Sequence, residues 1–224
     1  MTKRSQASRT YRAPARDAAV ARTRRALLEA GKRQFEERGW AGTTMPAVAA
    51  DAGVSLKTLE AVFGTKPTLL GAVVDFAIRG DEHALPVARR EAVRAMEAAP
   101  TAGAMLELHA AQVRRISERS AGIAWVVEQA AAVNADVGEL WHRMTANRAS
   151  GVRWATRTLR AKPDIDSTLR QVEIEATFWL ALDWATYRSM TVGRGMSPRG
   201  FERWLRGYYR RMLLGGRLCR TPHR

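Results

Sequence analysis

Apolar residues recur at helical spacing along most of the chain. Leu27, Leu28, Gly31 and Phe35 mark one face of a helix over 22–38, which Gly39 stops. Two short helices follow between Thr44 and Lys66. The hydroxyl of Thr44 is placed to cap the first, and Pro46 is tolerated because first-turn amides have no intrahelical partner. Gly53 ends that helix and Ser55 offers a cap for the next. Beyond Lys66 and Pro67, the positions Leu69, Leu70, Val73, Val74 and Phe76 predict a fourth helix ending near Gly80.

The rest of the chain is also helical and contains no convincing strand. Helices are predicted over 85–96, ending at Pro100, and over 104–119 through Leu106, Val113 and Ile116. The segment 122–160 supports one or two long helices, with a soft break near Asn134 or Gly138. Residues 162–166 form a loop. The helix over 167–192 is apolar on most sides (Ile174, Phe178, Trp179, Leu182, Trp184, Tyr187), so burial on more than one face is expected. A last helix over 197–214 places Phe201, Trp204 or Leu205, Tyr208 and Met212 on one stripe. The expected fold class is all-α, with about nine helices.

Only Thr44 to Lys66 demands a particular tertiary geometry. Ala49 is small enough for two helices to cross closely, Gly53 makes the turn, and Leu59 pins the second helix on the first. That is the spacing of a helix-turn-helix, whose second helix normally enters the DNA major groove. Side chains at the N-terminal end of that helix read sequence, and here they are Ser55, Leu56, Lys57 and Thr58. Lys57 can donate to guanine or phosphate, Thr58 can meet a thymine methyl or a phosphate, and Leu56 offers apolar contact. Thr44 and Lys66 stand at helix starts, where amides and a cation hold phosphates, and Arg22 opens the lead helix.

Charge changes this picture in one respect. The formal net charge of the 224 residues is +15, which predicts attraction to polyanions. Residues 1–25 carry eight basic side chains against Asp17, whereas residues 26–78 carry five basic against six acidic. Much of the basic character near the head therefore lies in a leading arm, expected to be disordered over 1–21 in the free protein. Residues 193–224 add nine arginines against Glu202. A single cysteine, Cys219, excludes an intrachain disulfide framework and suits a reducing cytoplasm. No signal peptide or transmembrane run is read from the sequence, so a cytoplasmic protein with no membrane partner is expected.

The head resembles the DNA-binding domain of TetR-family transcriptional repressors. Phe35, Glu37, Arg38, Gly39 and Trp40 resemble the end of the family's lead helix, and Ala52, Gly53, Val54 and Ser55 its turn. Thr58, Leu59, Phe63 and Lys66 match its recognition helix and the start of the fourth. One departure stands out. Family members often carry tyrosines that reach phosphate where Glu60 and Val62 stand, and a carboxylate is repelled there. Glu60 points to solvent, pairs with Lys57, or accepts from a cytosine amino group.

The resemblance implies a DNA-binding domain over 22–78, a helical effector-binding and dimerisation domain over 79–218, and a short tail over 219–224. It also implies a homodimer paired through the last two helices, with Trp184, Tyr187, Phe201, Trp204, Leu205, Tyr208 and Met212 at the interface. The alternative is that this stripe closes the protomer's own core. A dimer predicts a palindromic double-stranded operator, with repression taken from family habit. Six of the seven Trp lie beyond the head, so an aromatic pocket for an apolar or aromatic small-molecule effector is expected from Trp125, Trp141, Trp154, Phe178, Trp179 and Asp183. Helix caps and partly exposed faces explain Asp183 and Asn134 equally well.

Two other function classes compete. His83, His109, His142 and His223 are dispersed, and no metal-ligand pair, phosphate-binding glycine loop or nucleophile motif is present, so neither an enzyme nor a cofactor is expected. A sequence-indifferent basic nucleic-acid-binding protein, working through the arm and the Arg-rich end, is the stronger rival.

Overall fold

The computed structural model describes residues 12–80 and 91–215. Among the described residues there are ten α-helices and no strand. The chain divides into two compact units, residues 1–76 and 77–224.

In the first unit, α1 spans Arg12–Gly42 and kinks at Gly39, whose φ of 65° no regular helix accommodates. It starts ten residues ahead of the expected position, so part of the basic arm is helical; residues 1–11 lie outside the described residues. The Thr43 hydroxyl secures the kink, lying 2.9 and 2.8 Å from the Gln34 and Gly39 carbonyl oxygens and sharing its proton between them. Helices α2 (Met45–Asp51), α3 (Leu56–Phe63) and α4 (Lys66–Arg79) follow. Leu27, Phe35, Val48, Leu59, Leu69, Leu70 and Val73 are buried, each contributing about 1.5–3 kcal/mol. Gly31 sits in the apolar stripe of α1 for a steric reason. A Cβ there would lie 3.0 Å from Val73 Cγ2, so glycine at that position lets α1 and α4 pass closely without displacing the valine.

The second unit contains α5 (Glu91–Ala98), α6 (Ala102–Ala131), α7 (Ala135–Arg160), α8 (Gln171–Ala181), α9 (Trp184–Arg188) and α10 (Pro198–Leu213). Residues 85–90 of the predicted 85–96 helix lie outside the described residues. Helix α6 is the hub, and α5, α7, α9 and α10 all pack on it. The helices expected over 104–119 and from 122 run as one. Ala121 and Ile123 are buried on either side of Gly122, which offsets the roughly 1 kcal/mol that glycine costs in a helix. The next break falls at Asn134, whose Oδ1 accepts the Val137 amide at 3.1 Å. The loop 161–166 is stapled to the α5–α6 junction. Lys162 Nζ donates to the carbonyls of Glu97 and Ala99, both at 2.7 Å, and Asp164 Oδ1 accepts the Ala102 amide at 2.7 Å.

The single helix expected over 167–192 is two helices and a π-helical turn. It begins at Gln171 and breaks at Asp183, whose Oδ2 accepts both the amide and the hydroxyl of Thr186. After α9 the backbone loosens into a π-helical turn over Ser189–Gly193. Burial on more than one face is not reached among the described residues. Ile174, Thr177, Phe178 and Ala181 are buried, whereas Val172 is 62% exposed, Leu180 49% and Trp179 37%. At successive steps of 100°, the three exposed residues share one face of α8.

Among the described residues no single helix is long and apolar enough to cross a membrane. The run formed by Leu56–Phe63 and Lys66–Arg79 passes on length and composition only as a pair, and it is bent by 72°.

Candidate functional site

The first unit builds a rigid frame around one exposed helix end. Thr44 Oγ1 accepts the Ala47 amide at 3.3 Å, and Ser55 Oγ accepts the Thr58 amide at 3.1 Å. Each cap meets one of the amides that a helix start leaves unpaired. Gly53 (φ 69°) makes the reversal between α2 and α3, and Gly64 (φ 68°) ends α3. Arg33 and Gln34 of α1 converge on Asp51 at the end of α2. The guanidinium contacts both carboxylate oxygens, at 3.0 and 3.4 Å, and the amide donates at 3.2 Å. Those hydrogen bonds hold Asp51 below the usual carboxylate range. Leu59 and Phe63 anchor the inner face of α3, leaving Ser55, Leu56 (37% exposed), Lys57 and Glu60 facing out.

Lys57 and Glu60 are both exposed on α3. Thr58 is turned partly inward, its hydroxyl 2.9 Å from that of Ser55. Arg22 is exposed on α1. The arginine that reaches the recognition helix is instead Arg24, stacked 4.7 Å over the Phe63 ring. No sequence pattern distinguishes it from its basic neighbours.

Lys66 has a structural partner in the free protein. The sequence places it as a phosphate contact, but its ammonium donates to the Trp40 carbonyl oxygen and lies 4.3 Å over the Trp40 ring. Trp40 in turn stacks on Phe35, with ring centroids 6.2 Å apart and an interplanar angle of 5°. Partial burial lowers the Lys66 pKa. The cation therefore ties the end of α1 to the start of α4, because the kink at Gly39 turns the Trp40 carbonyl toward it.

The six expected effector residues do not form one pocket. Phe178 is in the core, edge-on to His109 and Tyr209 at 4.9 and 5.7 Å. Trp154 Nε1 donates to Glu97 at 3.1 Å. Trp179 lies beneath Arg148, whose guanidinium is 4.0 Å over the ring and pairs with Asp183 at 2.9 Å. Only Trp125, Trp141 and Asp183 meet, together with Trp184 and Arg188, around a depression of about 10 Å³, enough for one water. The helix break at Asp183 turns the aromatic residues that follow it away from those before it.

The expected dimer stripe of α10 is largely consumed by the protomer's own core. Phe201, Leu205, Tyr209 and Leu213 are fully buried, and Tyr187 packs edge-on to Phe201 at 4.9 Å. Trp184 Nε1 donates to Ser120 Oγ at 3.0 Å. Trp204 and Tyr208 stack on each other at 5.5 Å beside the core, and Met212 is exposed. The apolar phase is one residue off the expected one, since Phe201 and Leu205 lead at spacing four to Tyr209, not Tyr208. Among the described residues no group of His, Cys, Asp or Glu is arranged to hold a metal ion.

Comparison with known proteins agrees with this geometry. Residues 27–73, from the buried Leu27 of α1 to the buried Val73 of α4, match the sequence model of the bacterial regulatory proteins, tetR family. No curated protein matches the sequence. Solved structures share the fold. A Rhodococcus sp. protein described as a TetR-family transcriptional regulator superposes with a TM-score of 0.63 at 19% identity, covering 86% of this chain and 98% of its own. One from Mesorhizobium loti MAFF303099, described likewise, gives 0.62 at 22%, covering 86% and 96%. NalD of Pseudomonas aeruginosa, the secondary repressor of the MexAB-OprM multidrug efflux pump, gives 0.66 at 17%, covering 87% and 97%. With its helix-turn-helix inside the matched segment, the first unit carries the DNA-binding domain of the bacterial regulatory proteins, tetR family, on a chain that shares the fold of solved TetR-family regulators.

Proposed function

We propose that the chain is a homodimeric, sequence-specific repressor of the cytoplasm that reads a palindromic operator with α3 and leaves it when a small molecule binds the second unit. The observation that carries the reading is the Ser55-capped start of α3, with Leu56 and Lys57 exposed on a frame fixed by Asp51 and Leu59. Residues at that end of a recognition helix face base edges, while caps and cations position the backbone. Thr44, Ser55, Leu56, Lys57 and Thr58 remain the proposed contacts, with Arg22 and the basic start of α1 supplying phosphate attraction.

Dimerisation is supported by α8. Its outer face groups three large apolar residues that stay partly exposed among the described residues, Val172, Leu180 and, beneath Arg148, Trp179. A second copy covering that face makes the dimer, and a dimeric helix-turn-helix protein reads half-sites about 34–36 Å apart, one turn of DNA. That the structure of a Saccharomonospora viridis regulator holds choline supports a ligand-responsive second unit here.

Selection of bound sites from random duplexes tests the proposal. A palindrome with half-sites about 10 bp apart is expected. Equal affinity for every duplex at physiological salt would make this a sequence-indifferent binder instead.

A further inference from the structure

We propose that the cleft between the first turns of α6 and the last turns of α10 binds a small organic acid, with Arg206 and Arg210 receiving its carboxylate. This rests on the ligand-responsive reading above and names the site and the chemical class. The cleft has a volume of about 190 Å³ and is lined by Leu106, Glu107, Arg206, Tyr209, Arg210 and Leu214. It is smaller than the roughly 300–1,000 Å³ of drug-sized pockets, so its occupant is small. Leu106 and Leu214 line the apolar side, with the buried Tyr209 behind them. The charged lining residues are Arg206, Arg210 and Glu107, and Glu202 also pairs with Arg206.

Glu107 already shows what the cations select. Its carboxylate lies 2.6 Å from Arg206 and 3.6 Å from Arg210, a protein carboxylate seated where a ligand carboxylate would go. The seat is incompletely used. Arg206 Nη2 is taken by Glu202 and Nη1 by Glu107, while Nε is buried with no hydrogen-bond partner. A carboxylate prefers to engage a guanidinium through two parallel N–H groups, which Glu107 does not achieve here. An acid entering the cleft displaces Glu107 from its looser contact with Arg210 and engages that guanidinium through two parallel N–H groups.

The position also explains how such binding would be felt. Glu118, Arg114, Glu202, Arg206, Glu107 and Arg210 form an unbroken alternating chain of ion pairs that staples α10 to α6. A ligand that releases Glu107 loosens one end of the staple on the hub helix of this unit.

The test uses the full chain without DNA, with benzoate as the probe, benzamide as its uncharged isostere, and sodium sulfate at matched ionic strength. Calorimetric titration is expected to give saturable binding for benzoate and none for benzamide. Removing the internal competitor with Glu107→Gln is expected to tighten benzoate about tenfold, and Arg210→Gln to weaken it about tenfold while circular dichroism stays unchanged. The proposal is overturned if benzamide binds as well as benzoate, if sulfate reproduces the heat, or if Glu107→Gln leaves the Kd where it was. Because no DNA is present, failure here leaves operator recognition standing, and failure of the site selection leaves the titration readable.

Discussion

Replacing Lys66 by alanine separates a structural cation from a phosphate contact. The substitution removes a charged hydrogen bond to the Trp40 carbonyl and a cation held 4.3 Å over the indole. A hydrogen bond to a charged group contributes about 1.5–3 kcal/mol and a half-exposed cation–π contact about 0.5–1. Desolvating the ammonium, which also lowers its pKa, offsets part of that sum, leaving a loss of about 2 kcal/mol. Two kcal/mol is roughly a 30-fold rise in the opening equilibrium. Hydrogen exchange of the α2 and α3 amides is the assay, because it reads this unit without requiring the whole chain to unfold. Faster exchange by about that factor is expected, with Lys66→Arg retaining most of the protection. The salt dependence of DNA affinity is measured in parallel. A phosphate contact contributes about 0.9 to the slope of log K against log salt. If exchange is unchanged and the slope falls by about one, Lys66 serves the DNA and not the frame, and the reasoning fails.

Lys57→Ala is expected to cost about 1–3 kcal/mol of operator affinity and to relax selection at one base-pair position, with no change in melting temperature; a uniform loss across sequences would make Lys57 a phosphate contact. Glu60→Gln should raise affinity for all duplexes alike, and a change confined to one selected position would mark it as a base reader. Introducing glutamate at Trp179 or Leu180 should convert a dimer into monomers in sedimentation, whereas a monomeric parent protein would remove α8 as the interface. Burial lowers the His109 pKa from 6.5 to about 4, so the imidazole stays neutral when folded and protonates when unfolded. The stability this lends is fully present above pH 6.5 and is lost as the pH falls toward 4, by about 3 kcal/mol. His109→Asn should flatten that part of the pH–stability profile, and an unchanged profile would refute the assignment.

The head was legible from sequence because its signals are local. A cap hydroxyl at Thr44 or Ser55 acts on an amide three residues away, and Gly53 adopts its positive φ wherever such a turn occurs. Gly31 was visible only as a member of an apolar stripe; the approach of Val73 gave it its reason. The second unit was less legible, since hydropathy reports how apolar a helix is but not what covers it. It could not divide residues 167–192 at Asp183, because Asp183 works as a cap only once the chain turns there. Nor could it choose between Tyr208 and Tyr209, adjacent residues of the same type.

By itself the sequence determined the all-helical class, the two-helix reader and the glycine and hydroxyl positions that bound it, because each depends on residues within a turn or two of one another. Tertiary structure alone decided that Lys66 faces Trp40, that the α10 stripe is spent on its own core, and that Arg206, Arg210 and Glu107 share one cleft. Those facts join residues dozens of positions apart, and burial, charge pairing and ring stacking between them arise only when the helices meet.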